Sequence, residues 1–159
     1  MKRIWNIVNP SIYSLSSFDN EGEQNFNICS YVSVVSLKPK LYMIAIEKTN
    51  KTYSNISKSN TCILQVLSMD NVNIVKYLGK KSGWNINKLN FLQKKNLLQI
   101  WNGKKIIKNS CGVILLEKTN QFITSGDHTL FIFRILKAKT FKETNILTFN
   151  NLIEKKIIL

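Results

Sequence analysis

Four short stretches of this chain carry side chains that could do chemistry. The first is Gly126-Asp127-His128-Thr129, where the only histidine follows a Gly-Asp turn at the mouth of an apolar strand. An imidazole beside a carboxylate can serve as a general acid or donate to a ligand, and it can equally close its own turn. No serine or cysteine stands in a G-x-S-x-G elbow, so a hydrolytic triad has no support. The second stretch is Lys48-Thr49-Asn50-Lys51-Thr52. At a helix start, with Thr49 or Asn50 as N-cap, it offers amides, hydroxyls and ammonium groups to a phosphate. An ordinary capped helix with solvated lysines reads the same way locally. The third is Asn27-Ile28-Cys29-Ser30-Tyr31-Val32-Ser33, a strand mixing small polar and apolar side chains. It suits the polar edge of a planar ring, or simply a half-buried strand. The fourth is Gly79-Lys80-Lys81-Ser82-Gly83, which lacks the Walker spacing but could clamp an anion or serve as a solvated connector.

The composition narrows the classes open to these groups. A chain of 159 residues, 44% hydrophobic and 20% charged, suits one folded domain over 1–159 with a full core. The net charge of +14 favours anionic partners, although the lysines are spread along the chain and also fit a general drift in composition. Cys29, Cys62 and Cys111 are widely spaced with no C-x-x-C pair, so neither a zinc framework nor a disulfide ladder is expected. The start, Met1-Lys2-Arg3-Ile4-Trp5-Asn6, is followed by Asn9-Pro10 and not by an apolar segment of a signal peptide. No apolar run approaches the roughly 20 residues that span a bilayer. The expectation is a cytoplasmic protein with reduced thiols and no membrane partner.

The elements that must position these groups are mostly strands. Ile12 to Phe18 reads as a strand ending at the turn Asp19-Asn20-Glu21-Gly22, and Phe26 to Leu37 as its hairpin partner. Pro39 breaks the chain before a buried strand, Leu41 to Ile46. A short helix from residue 50, a strand at 61–67 and a helix capped by Asp70 or Asn71 follow, the last with Gly79 as its C-cap. Residues 84–110 are ambiguous in period. Gly112 to Lys118 and 128–139 read as strands, and 147–159 as one more strand with a frayed tail. With no repeat and no linker, about six or seven strands and two or three helices suggest a closed antiparallel barrel.

Taken together, these words resemble the flavin reductase-like family of FMN-binding split barrels. Its order and spacing are matched by Ile12 to Asp19, Asn27 to Lys40, Lys48-Thr49 with Thr52, Gly79 to Gly83, and Gly126 to Phe131, covering about residues 5–140. The resemblance implies a mostly β, six-stranded antiparallel split β-barrel with short helices, forming a homodimer with FMN near the interface. It implies that Asn27, Ile28, Cys29, Ser30, Tyr31, Val32 and Ser33 line the isoalloxazine edge. Lys48, Thr49, Asn50, Lys51 and Thr52 would hold the phosphate, Ser82 and Gly83 would lie close to the flavin, and His128 would face the reacting side as the catalytic group. The implied chemistry is hydride transfer from NADH or NADPH to flavin N5, then onward to a second flavin, a ferric complex or a redox protein.

Two positions depart from the family pattern. Trp84 and the neutral Asn87 stand where many relatives carry an arginine and an aspartate, with Lys88 the cation that remains. An FMN electron carrier serving a redox partner is the alternative this loop suggests. A basic β-barrel binding single-stranded nucleic acid is the third, weakened by the absence of an aromatic pair or a concentrated basic face.

Overall fold

One stretch of chain, residues 24–37, forms both edges of the main sheet and so closes the fold. The computed structural model describes residues 4–158. Met1 to Arg3 and Leu159, which the sequence reading takes in, lie outside the described residues. The strands are β1 (Tyr13–Phe18), β2 (Gln24–Cys29), β3 (Val32–Leu37), β4 (Lys40–Glu47), β5 (Thr61–Val66), β6 (Leu98–Trp101), β7 (Lys104–Ile107), β8 (Gly112–Ile123) and β9 (His128–Thr140). The helices are α1 (Lys51–Lys58), α2 (Val72–Lys80), α3 (Lys88–Lys94) and α4 (Phe149–Glu154).

The β1–β2 hairpin is set by Asp19, whose Oδ1 accepts the amides of Glu21 at 3.0 Å and Glu23 at 2.9 Å. Gly22 supplies the positive φ of 81° that the turn requires. The main sheet has seven strands in the order β2-β1-β5-β8-β9-β4-β3. The sequence expectation of one strand from Phe26 to Leu37 is corrected here. Its first half pairs with β1, Tyr13 opposite Cys29, and its second half pairs with β4, Val32 opposite Ile44. Tyr31 in the two-residue junction still accepts the Ala45 amide at 3.0 Å. Counted as one bent stave, β2 and β3 make the six-stranded antiparallel split barrel.

Side chains of period two fill the barrel. Leu15 of β1, Cys62 and Leu64 of β5, Leu116 of β8, Phe131 and Phe133 of β9, and Ile44 and Ile46 of β4 form one buried cluster with Ile56 of α1. Each such side chain contributes roughly 1.5–3 kcal/mol of burial. A second cluster on the outer side joins Phe26 to α2, α3 and α4 through Ile74, Val75, Leu78, Leu89, Leu92 and Leu152. β1 and β5 are therefore covered on both faces. No helix of the described residues is long and apolar enough to cross a membrane.

Three further expectations change. Gly79 does not end α2, which runs on to Lys80 with Lys81 as C-cap. A side chain at 79 would meet Ile28 Cβ at 3.4 Å, so Gly79 serves close packing of α2 on β2. The segment after 147 is no strand and no frayed tail. Leu147 is fully buried, its carbonyl accepting the Ile12 amide at 2.9 Å and its amide donating to Leu67 at 3.0 Å. α4 then starts at a capping box in which the Asn151 amide oxygen accepts from the Thr148 backbone at 3.0 Å. Within 84–110 the structure forms α3 and the β6–β7 hairpin, whose Asn102-Gly103 turn takes φ of 50° and 71°. Gln65 ties this hairpin to the barrel, exchanging hydrogen bonds with Ile107 at 2.9 and 3.0 Å.

Candidate functional site

The end of β4 sits opposite the start of β9, with Glu47 paired to His128. This register brings the loop after β4 beside the histidine. Asn50 then caps α1, its Oδ1 accepting the Tyr53 amide at 2.8 Å. That cap leaves the Lys51 and Thr52 amides pointing out of the helix end, where its dipole attracts negative charge. Thr52 is buried, and its hydroxyl oxygen accepts from Asn25 Nδ2 at 3.2 Å.

Beside this helix end lies a cleft of about 360 Å³. It brings together Asn27, Ile28, Cys29, Ser30, Tyr31, Thr49, Asn50, Lys51, Thr52, Ser82, Gly83 and His128. One wall is β2, which pairs with β1 alone in the sheet, so its outer edge offers backbone groups with no ladder partner. Another wall is the end of α2 and the loop beyond it, Gly79 to Gly83. Lys51, Lys80 and Lys81 line the cleft against a single carboxylate, Glu47, which accepts the Thr49 hydroxyl at 3.1 Å. The cleft therefore favours an anion.

In the same cleft, His128 Nδ1 lies 2.6 Å from Asp127 Oδ1. The carboxylate only accepts, so Nδ1 carries the proton and Nε2 is the nitrogen left for a ligand. The imidazole holds the Asp127 carboxyl below the usual range. The Tyr31 ring leans on the imidazole, centroids 5.3 Å apart, and the Thr124 hydroxyl donates to the His128 carbonyl. Cys29 offers no nucleophile, because burial pushes its thiol up to about 12.

Four residues named from the sequence do not line the cleft. Lys48 points away, its Nζ donating to the carbonyls of Thr124 and Gly126 at 2.7 Å each. It fastens the loop after β4 to the β8–β9 turn. Val32 and Ser33 lie beyond the junction, on the β3 edge paired with β4. Lys88 is buried and donates to the Leu78 carbonyl at 2.5 Å, closing the end of α2; burial lowers its amine to about 8.

Sequence reasoning passed over Asn25, and it took Lys80 and Lys81 only as part of a basic loop that could clamp an anion, not among the flavin contacts. Period two would have found the first, since Asn25 and Asn27 share a face of β2. The lysines are the ones that accompany Ser82 in the basic loop.

A family model described as the flavin reductase like domain matches residues 9–152. The chain belongs to the flavin reductase-like family. A comparison with curated protein sequences returns no match. Among solved structures, an FMN-binding protein from Thermus thermophilus with bound 1-cyclohex-2-enone superposes with a TM-score of 0.74 at 18% identity, over 88% of this chain and 75% of its own. Flavoredoxin from Methanosarcina acetivorans gives 0.73 at 16%, over 87% and 70%. An NADH:FAD oxidoreductase from Streptomyces globisporus, in complex with NAD and FAD fragments, gives 0.73 at 15%, over 87% and 79%. At these identities the likeness establishes the split-barrel fold.

A flavin reductase-like chain should cradle a phosphorylated ring, and the residues present fit one. At Gly83 an added Cβ would sit 2.5 Å from Asn25 Oδ1 and 3.3 Å from Lys51 Cβ, so the loop approaches α1 as only glycine allows. Amides at the helix end, three lysines and the unpaired β2 edge all open on the same space.

Proposed function

We propose that this protein binds FMN in the cleft and acts as an NAD(P)H-dependent flavin reductase. One observation carries the reading: in a fold of this family, an anion-attracting helix end and an unpaired strand edge line one cleft. The Lys51 and Thr52 amides, the Ser82 hydroxyl and the Lys51, Lys80 and Lys81 ammonium groups would hold the phosphate, joined by the Thr49 hydroxyl once it turns from Glu47. Backbone groups of Asn27 to Ser30 would hydrogen-bond the polar edge of the ring, with Ile28 and Tyr31 as apolar cover. His128, its Nδ1 fixed by Asp127, presents Nε2 to the reacting side, where it can donate once protonated. Lys48 acts on this site by holding its loop in place.

The flavin, when bound, supplies the redox chemistry, accepting a hydride from reduced nicotinamide and passing electrons to a second flavin, a ferric complex or a redox protein. The protein's part is to orient the ring, exclude water and place charge. The protein is proposed to be a homodimer, supported by exposed Val34, Val35 and Leu37 on the free edge strand β3 and Phe122 and Ile123 at the tip of β8. The test is anaerobic mixing of FMN-loaded protein with NADH or NADPH, followed at the flavin absorbance maximum. Rapid bleaching supports a reductase. Bleaching only by a reduced partner protein would assign an electron carrier, and failure to take up FMN would remove the reading.

A further inference from the structure

A separate pocket of about 230 Å³ is lined by the end of β2, one stripe of α2, and α4 with the segment after it. Its walls are the apolar side chains of Ile12, Ile28, Val75, Leu152, Ile157 and Ile158. The last two are held in place by their backbone. The Ile157 and Ile158 amides both donate to the Leu152 carbonyl, at 2.9 and 3.4 Å, which turns the chain back on α4. Two cations also line the pocket, Lys76 and Lys80, one turn apart on α2. No carboxylate lines it. The Lys76 ammonium group is exposed and has no hydrogen bond, ion pair or ring contact among the described residues.

We propose that this pocket binds a small amphipathic monocarboxylate, its ring-sized apolar body among the isoleucines and its carboxylate on Lys76 and Lys80. Size sets the body. A dry cavity of about 150 Å³ with walls of this kind holds a benzene ring, so 230 Å³ takes a ring and a short linker. Charge sets the other end. Apolar walls with a few polar groups that fix orientation are the usual make-up of a small-molecule site. Here the only charged groups are two ammonium groups, which pair with an anion through charge-assisted hydrogen bonds and repel a cation. The ligand needs no flavin in the first cleft. Ile28, Cys29, Ser30, Gly79 and Lys80 line both spaces, whereas Lys76, Leu152 and Ile157 line this pocket and not the first cleft.

Calorimetric titration of the full chain with hydrocinnamate and with its neutral counterpart hydrocinnamamide, with and without excess FMN, tests this. At low salt the carboxylate is expected to bind at least fivefold tighter than the amide, and added salt should narrow the gap. FMN should not displace it. Lys76→Met should lower the preference for the carboxylate about threefold while leaving the affinity for the amide unchanged. Ile157→Trp, which fills the pocket, should abolish binding of both probes at an unchanged urea midpoint. If that variant proves less stable, Lys76→Met decides alone. Absence of binding, equal affinities for the two probes, displacement of hydrocinnamate by FMN, or a preference that Lys76→Met leaves intact would each overturn the proposal.

Discussion

Replacing Gly83 with alanine probes the close approach of the loop to α1 with a single methyl group. The new Cβ would lie 2.5 Å from Asn25 Oδ1, 3.2 Å from Asn25 Cγ and 3.3 Å from Lys51 Cβ. Asn25 is buried and donates to Thr52 Oγ1, so it cannot retreat without loosening that bond. Losing the bond costs about 0.5–1.5 kcal/mol and overpacking about 1–3 kcal/mol. Partial relief by movement of the 82–87 loop puts the expected loss near 2 kcal/mol, read as the urea midpoint with m unchanged. The displaced Asn25 and Lys51 both line the cleft, so FMN affinity should fall about tenfold. Gly126→Ala is the matched control. Its added Cβ would meet nothing nearer than Thr124 Oγ1 at 3.7 Å, and both readouts should stay near wild type. If Gly83→Ala matched that control in stability and in FMN affinity, the close approach of the loop to α1 would be refuted.

Other consequences follow from single side chains. Lys48→Met removes two hydrogen bonds to the β8–β9 turn and should cost about 1–2 kcal/mol, while weakening FMN less than Lys51→Ala does. The opposite order in FMN titrations, with stability intact, would make Lys48 a phosphate ligand. Lys88 is lowered by burial to about 8 from 10.5, so above pH 8 the folded state sheds a proton that the unfolded chain keeps. Stability relative to Lys88→Met should therefore rise between about pH 8 and 10.5, by a fraction of the ~1.4 kcal/mol per unit limit, and a flat difference in urea titrations would contradict it. Burial raises the Cys29 thiol to about 12, so iodoacetamide at pH 8 should label it far more slowly in the folded protein than after unfolding, as read by mass spectrometry, and equal rates would contradict this.

Much of the fold was legible because period-two patterns, turn residues and caps are local. An α1 cap at Thr49 or Asn50, which the structure assigns to Asn50, and the Asp19 turn both followed from side chains bonding amides a few residues away. The bend at Ser30-Tyr31 was not legible, since nothing in Asn27 to Ser33 says that the stave changes partner from β1 to β4. Nor was the tail, whose Leu147 is held by Ile12 and Leu67, far away in sequence. The Asn102-Gly103 turn was a local signal passed over. In the site, the cap and basic loop could be read by type, but side-chain direction could not. Lys48 and Lys51 look equivalent in sequence, yet one is spent on carbonyls of the β8–β9 turn and the other faces the cleft. Lys88 likewise reads as a surface cation until α2 is found to end on it.

The most direct test compares FMN with riboflavin in a fluorescence titration of wild type and Lys51→Ala. Phosphate held at the α1 end predicts that wild type prefers FMN by at least tenfold and that Lys51→Ala loses most of that preference while riboflavin binding holds. Equal binding of the two ligands by wild type, or no binding of either, would contradict the account.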